Sequence, residues 1–342
     1  MTSKFSPKTI QQLDDNLERE HATIDIFNQA MEDNDADTAR EVCEFVINDD
    51  ETRNSGYSRG WQFHCLKWLT AHYIVRWQSS PDDSEEETIA LDGLMESLWK
   101  HKWLVSSLPC DVSLSQDDIK EATDSMSTLY KDFELSQAMV HKARLEQNIY
   151  MGNIADAKKN FAKWQSEEKD DISDCDACEQ NTLIAYYNFI GDHKKVEQLA
   201  KPILSGKLTC SEVPHTTYPP VINSLIQLGK LDEAQDILND AIELIRESSE
   251  HFLWLMSLMI QFAMRLNHQD LALELLDEFS NNIVKSIKNN HFEYLQYLIA
   301  VAPFNDEALI AARGLAKNFD DRNGNRHYQN QLDFLFTPPT LH

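Results

Sequence analysis

A seven-residue phrase recurs five times in the second half of this sequence at almost constant spacing. It reads MGNIADA, IGDHKKV, LGKLDEA, LNHQDLA and APFNDEA. The last residue of each phrase is small, and successive copies of it lie 39, 38, 38 and 36 positions apart: Ala157, Val196, Ala234, Ala272 and Ala308. Self-similarity at this period is typical of stacked helical hairpins, because each unit is too small to bury its own apolar face. The pattern therefore predicts an all-α chain whose core is closed between neighbouring repeats.

Each repeat is predicted to contain two helices joined by a short turn. An apolar segment such as VINSLIQL comes first, and a Gly or Asn then ends that helix in a left-handed turn. The second helix places Ala234, Leu238 and Ala241 on one face at helical spacing. We expect at least five such hairpins between about residues 130 and 315, with no β-sheet, stacked as a right-handed superhelical solenoid.

The first third of the chain is less regular. We divide the sequence into residues 1–128, with irregular helical repeats, and residues 129–342, with regular repeats and a C-terminal capping helix, in one continuous solenoid. Residues 24–47 match the repeat, with Asn34 at the turn and Ala39 in the small-residue position. Two helices, about 61–77 and 89–103, are separated by an acidic loop at 79–87. Their aromatic residues are predicted to be core, and a stacking surface for a ligand is the alternative: Trp61, Trp68, Trp77, Trp99 and Trp103.

The order of apolar helix, Gly turn and helix opening with acidic residues and a small residue resembles the tetratricopeptide repeat superfamily. The resemblance covers about residues 130–315 well and 20–125 loosely, although the period exceeds the roughly 34 residues of the standard unit. The phrases DCDAC and LTCSEVPH also resemble those of an uncharacterised bacterial family of repeat proteins. The first resemblance implies a scaffold or adaptor that binds a protein or peptide on its concave face, and the second implies no established activity.

Charge and hydropathy limit the partners that such a chain can have. There are 57 acidic and 31 basic residues, so the net charge is −26. This charge repels nucleic acid and anionic membranes and favours basic protein or peptide segments, or simply keeps the surface solvated. The longest apolar stretch, residues 252–264, is shorter than the roughly 20 residues of a membrane-spanning helix. The N-terminal sequence has no signal-peptide core, so we expect a cytoplasmic location.

Three cysteines and one histidine form a candidate metal site. Cys175 and Cys178 stand at the start of one repeat, and Cys210 and His215 precede the next. Adding one repeat period of 38 to the first pair gives 213 and 216, so all four residues lie at equivalent ends of neighbouring helices. Three thiolates and an imidazole suit tetrahedral structural zinc, which would join two repeats.

Other interpretations of these cysteines remain open. They are reduced thiols at an interface, a chance cluster, or a redox C-x-x-C motif. The redox interpretation lacks a strand-to-helix setting, and Asp174, Asp176 and Glu179 would raise a nearby thiol pKa rather than lower it. Cys43, Cys65 and Cys110 have no ligand-spaced partners and are predicted to be core or loop residues.

No common catalytic motif is present. The sequence contains no phosphate-binding Gly loop, no dinucleotide fingerprint, no nucleophile elbow and no H-E-x-x-H. We therefore predict a non-catalytic binding scaffold, with a regulatory sensor that responds to peptide or metal as the alternative. A polar turn with Arg322, Arg326 and His327 is predicted to cap the last repeat, and contact with an anion is its alternative role.

Overall fold

The computed structural model describes residues 5–335 except 14, 49–55, 249–251 and 288. Seventeen α-helices, three short 3₁₀ turns and no β-strand occur among these residues. The helices are α1 (Pro7–Gln11), α2 (Asn16–Glu32), α3 (Ala36–Asn48), α4 (Arg59–Ser79), α5 (Glu85–Ser107), α6 (Gln116–Asp132), α7 (Ala138–Tyr150), α8 (Ile154–Ser166), α9 (Asp176–Phe189), α10 (His193–Leu204), α11 (Tyr218–Gln227), α12 (Leu231–Glu247), α13 (Met256–Arg265), α14 (Gln269–Ser286), α15 (His291–Val301), α16 (Asp306–Asn323) and α17 (His327–Leu335). The prediction of an all-α chain is confirmed.

Consecutive helices pack in pairs. Five hairpins, α7–α8 to α15–α16, occupy the span in which the repeat was predicted. The turn residues of four of these hairpins and of α2–α3 adopt left-handed backbone angles, as expected for Gly and Asn: Asn34, Gly152, Gly191, Gly229 and Asn267. The repeated phrase therefore marks the turn within each hairpin.

The small residue that ends each phrase is a packing position. Ala157, Val196, Ala234 and Ala272 are fully buried, whereas Ala308 is only partly buried. The last hairpin differs in what packs against its second helix. Its second helix, α16, instead buries Ala312, Ala316 and Phe319 in a cluster that includes residues of α17.

The first helices of successive hairpins contact one another along the chain, in the order α7, α9, α11, α13 and α15. Side-chain hydrogen bonds join them at the repeat spacing. Asn181 of α9 accepts from Thr217 at 2.7 Å, and Asn188 accepts from Asn223 of α11 at 2.6 Å. Gln261 of α13 donates to the backbone carbonyl of Gln296 in α15 at 2.9 Å. Polar groups therefore fix the register between repeats.

The buried core is continuous across the boundary that the sequence analysis placed between residues 128 and 129. Met126, Tyr130 and Ala138 belong to one buried cluster, and the boundary falls inside α6. Helix α9 contributes Ile184 to one cluster and Tyr186 to another. The helices on the two sides of the boundary thus share buried apolar surface.

Two sequence predictions need correction in this first part. The acidic loop is shorter than 79–87, because Ser84 caps the N-terminus of α5 and Glu85 already lies in the first helical turn. Carboxylates are stabilised there by the helix dipole. The second correction concerns the tryptophans: Trp61 is buried, but Trp99 and Trp103 are exposed.

The C-terminal hairpin returns to the first half of the chain. The guanidinium of Arg322 donates to the backbone carbonyls of Pro109 and Asp111, each at 2.7 Å. The imidazole of His291 lies 3.1 Å from the Asp111 carboxylate. Although burial opposes it, hydrogen bonding from His291 and Ser113 lowers the pKa of Asp111 to about 2. The polar turn predicted as a cap therefore binds the body of the protein, through backbone carbonyls rather than acidic side chains.

Helix α17 completes this contact. The buried Tyr328 donates its hydroxyl hydrogen bond to the carbonyl of Tyr150, at the end of α7. Gly152, in the following turn, lies so close to His327 that a Cβ atom would come within 2.4 Å of its side chain. Residues about 175 positions apart are thus in close contact.

Among the described residues, no helix combines the length and the apolar character that a membrane span requires.

Candidate metal centre

The three cysteines of the predicted metal site lie at one junction between repeats. Cys175 is the residue before α9 and Cys178 lies in its first turn. Cys210 lies in the loop between α10 and the 3₁₀ turn His215–Thr217, where Cys210 and Val213 exchange backbone hydrogen bonds at 3.2 and 3.3 Å. This tight turn holds the Cys210 side chain towards the start of α9.

The three sulfurs converge. All lie within 4.8 Å of one another, and Cys178 Sγ is 3.2 Å from Cys210 Sγ. Cys175 is exposed and the other two are half-buried, so the cluster opens to solvent on one side. Zn–S bonds of about 2.3 Å would place the sulfurs of one tetrahedral site roughly 3.8 Å apart. Small side-chain movements would therefore bring the three thiols to that geometry.

His215, the fourth predicted ligand, is not part of this close group. Its ring stacks on Phe252, with centroids 3.7 Å apart and planes 9° apart. Within the described part of the chain, neither ring nitrogen has a hydrogen-bond partner, and burial lowers the pKa of His215. Ligation by His215 would require its ring to move and stays a prediction. In this conformation the donor set is three thiols, which leaves a fourth coordination position for water or another ligand.

The thiols are not equivalent electrostatically. Burial and hydrogen bonding to the other cysteines raise the pKa of Cys178. Burial also opposes ionisation of Cys210, but hydrogen bonds from Cys178, Ser211 and Cys175 outweigh it and lower the pKa of Cys210. Cys210 is therefore the first of the pair to become a thiolate, which is the form that binds soft metal ions.

A buried ion cluster positions the segment before α9. Asp174 lies 2.7 Å from Lys102 Nζ of α5 and 3.0 Å from Lys142 Nζ of α7, and all three side chains are almost fully buried. Lys102 also donates to the carbonyl of Ile172 at 2.7 Å. Although burial opposes it, the two lysines lower the pKa of Asp174 to about 2. Cys175 therefore follows a residue that two other helices hold in place.

Sequence reasoning treated Asp174 only as a flanking carboxylate and did not anticipate this role. The sequence contains many acidic residues, and nothing in it distinguishes the one that is buried between two lysines.

The exposed apolar residues of α5 could have been recognised from their spacing in the sequence. Met95, Trp99 and Trp103 are spaced four residues apart and exposed, while Leu94 and Leu98, each about 100° around the helix from its exposed neighbour, are buried. One helix with two apolar stripes can bury only one of them against its own core.

A second candidate site is a cavity lined by polar side chains. A small cavity between the C-terminal hairpin and the first half is lined by titratable groups that include Arg59, Cys110, Asp111 and Glu293. It has room for roughly one water molecule. A cavity of this size does not accommodate an organic substrate.

Substitution of Cys210 tests the metal centre. Wild-type protein is expected to bind one zinc ion per chain, and Cys210→Ser should weaken binding at least about 100-fold, because loss of a ligand exceeds the 10–100-fold cost of losing an outer-shell partner. Zinc content and competition with a chelator measure this. His215→Gln separates the two donor sets, since a three-thiol site keeps its affinity in that variant. Equal zinc affinity of wild type and Cys210→Ser would contradict the site.

Comparison with known proteins adds no family to this description. A scan against models of protein families gives no match, and a search of curated proteins gives none either. The fold and the site therefore define a class only: an all-α protein of paired helices with a three-cysteine cluster that could hold a metal ion.

Proposed function

We propose that this protein is a non-catalytic binding protein, built on repeats similar to tetratricopeptide repeats, whose partner is a protein or peptide. The observation that carries the proposal is the exposed stripe of Met95, Trp99 and Trp103 on α5, called the α5 stripe below. The five hairpins support it, because helical repeats are commonly used to present binding surfaces. A right-handed superhelix with a concave binding face is the architecture that the resemblance implies.

The α5 stripe has the composition of a binding surface. The rings of Trp99 and Trp103 are in contact, with centroids 3.9 Å apart, and remain 39% and 44% exposed. The ammonium of Lys102 lies 4.6 Å from the centre of the Trp99 ring and is itself held by Asp174. The contact with Lys102 therefore restricts the movement of the aromatic pair. Tryptophan is also enriched among the residues that contribute most to binding energy at interfaces.

Charge indicates the kind of partner. Asp92 and Glu96 are exposed on α5 beside the stripe, and the whole chain carries a charge of −26. A basic amphipathic segment would place apolar side chains on the tryptophans and cations beside the carboxylates. We therefore propose a basic protein or peptide segment as the partner.

A synthetic amphipathic peptide of leucine and lysine provides the test, followed by tryptophan fluorescence or calorimetry. The paired substitution Trp99→Ala and Trp103→Ala should weaken its binding about 30-fold or more, which corresponds to about 2 kcal/mol for loss of an interface anchor. Affinity should also fall between about 50 and 300 mM salt, because screening shortens the Debye length below ~10 Å. Ile310→Ala, another exposed apolar position, is the matched control. Equal peptide affinity in wild type and the paired variant would exclude the α5 stripe as the binding surface.

A regulatory sensor is the second candidate, and the three-cysteine cluster favours it. The cluster joins the start of α9 to the loop before α11, so an ion bound there would fix one repeat against the next. The same peptide titration with zinc and with chelator distinguishes the two functions. In a sensor, zinc binding changes the affinity for the peptide while the protein stays folded. In a scaffold with a structural ion, removal of zinc changes peptide affinity only if the protein also unfolds.

A further inference from the structure

Arg265, the last residue of α13, is a half-buried cation with no acidic partner among the described residues. Its Nη1 donates to the side-chain oxygen of Asn223 at 2.8 Å. Its Nη2 is buried and has no hydrogen-bond partner in the ranges that the structure describes. The rings of Phe262 and Phe334 lie 5.6 and 5.3 Å from the guanidinium carbon. In a chain with 57 acidic residues, such a cation needs an explanation.

The two aromatic contacts do not offset the burial. Cation–π contacts are weak compared with the cost of moving a cation out of water without a counter-ion. Consistent with this, burial lowers the pKa of Arg265 to about 10. Burial of the Arg265 cation therefore has a cost that no carboxylate among the described residues offsets.

Another arginine of this chain shows what the unused edge of Arg265 can bind. Arg246 donates from Nε and Nη2 to the two carboxylate oxygens of Glu278, at 3.1 and 2.6 Å. This is the bidentate arrangement in which two parallel N–H groups match one carboxylate. On Arg265, Asn223 takes Nη1, and the edge formed by Nε and Nη2 donates to no group within the described parts of the chain.

Neighbouring side chains hold the guanidinium in position. Asn223 donates to Asn188 at 2.6 Å, so its oxygen is turned towards Arg265. Asn188 also accepts from Ser224 at 3.2 Å. The arginine is therefore fixed on the side where the first helices α9, α11 and α13 meet.

We propose that Arg265 binds a carboxylate through its Nε and Nη2 edge, with Asn223 orienting the guanidinium. The carboxylate comes either from a small organic acid or from the C-terminus of a peptide. This site is separate from the α5 stripe, and its existence does not depend on the function proposed for that surface.

The direct test uses wild-type protein and sodium acetate, with sodium chloride at the same ionic strength as the reference. The Nε–Hε signal of Arg265 in proton–nitrogen NMR should shift saturably with acetate and not with chloride. The corresponding signal of Arg246, whose edge is occupied, should stay in place. Absence of a saturable shift, or an equal shift with chloride, would overturn the proposal.

Two further arms identify the source and the geometry. Tri-alanine with a free C-terminus should bind more tightly than acetate for a peptide site and equally for a small-acid site, and the amidated peptide should not bind. Arg265→Lys keeps the charge but loses the fork, so acetate affinity should fall at least about tenfold. Undiminished acetate binding by a folded Arg265→Lys variant would exclude the bidentate site.

Discussion

Replacing Asp174 by alanine is expected to lower the free energy of unfolding by about 3–5 kcal/mol, because the buried Lys102 would lose its carboxylate partner. Lys142 would lose one of two carboxylate partners and keep Glu146, at 2.5 Å. Lys102 and Lys142 both lie within 3.0 Å of this carboxylate, and their side chains are almost fully buried. Urea denaturation measures the change. The exposed Asp171, three residues earlier, supplies a matched control, and Asp171→Ala should stay within about 0.5 kcal/mol of wild type.

The pH dependence of this effect has a defined sign. The pKa of Asp174 falls from its ordinary value of 3.8 to about 2 in the folded protein. A lowered pKa means that the stabilisation is present above pH 3.8 and is lost as the pH falls towards 2. The difference in the free energy of unfolding between wild type and Asp174→Ala should therefore become smaller as the pH falls from 3.8 to 2. A difference that stayed constant down to pH 2 would show that packing, not charge, holds the segment before Cys175.

Tyr328→Ala is expected to cost a similar amount, about 3–5 kcal/mol, because it removes a fully buried aromatic ring. The ring packs against Phe292 of α15 and Phe319 of α16, and the hydroxyl binds the carbonyl of Tyr150. Tyr328→Phe removes the hydrogen bond alone and should cost only about 1 kcal/mol. Asn330, exposed on the same helix, is the control position.

This second prediction tests the return of the C-terminal hairpin to the first half of the chain. We expect Tyr328→Ala to unfold in a single transition at a lower urea concentration than wild type, since α17 contacts residues of both halves. A separate early transition confined to α15–α17, with the remainder unchanged, would contradict a structural coupling of the two halves.

The local architecture could be predicted from the sequence because its causes are local. The five hairpins depend on turn residues such as Gly191 and Gly229 and on small residues such as Ala234, all of which recur at a readable spacing. The cysteine cluster follows from the same periodicity. The repeat places the loop before α11 beside the start of α9, and the turn that Cys210 forms with Val213 brings Cys210 to Cys178.

The tertiary structure decided the features that have no periodic signature. Arg322 donates to backbone carbonyls that lie 211 and 213 residues earlier in the chain. Repeat spacing cannot predict a contact between residues so far apart. The sequence predicted that His215 joins the thiols. In the structure its ring stacks on Phe252 instead and lies outside the close thiol group.

The exposure of the α5 stripe was decided in the same way. Trp99 and Trp103 have the helical spacing of core residues, but the buried side of α5 is already filled by Leu94 and Leu98. The sequence by itself determined which segments of the five hairpins are helices and where they turn, and it predicted that the three cysteines meet, since these features depend on residues within one or two repeats. Only the tertiary structure decided which faces are covered, because burial depends on elements that are distant along the chain.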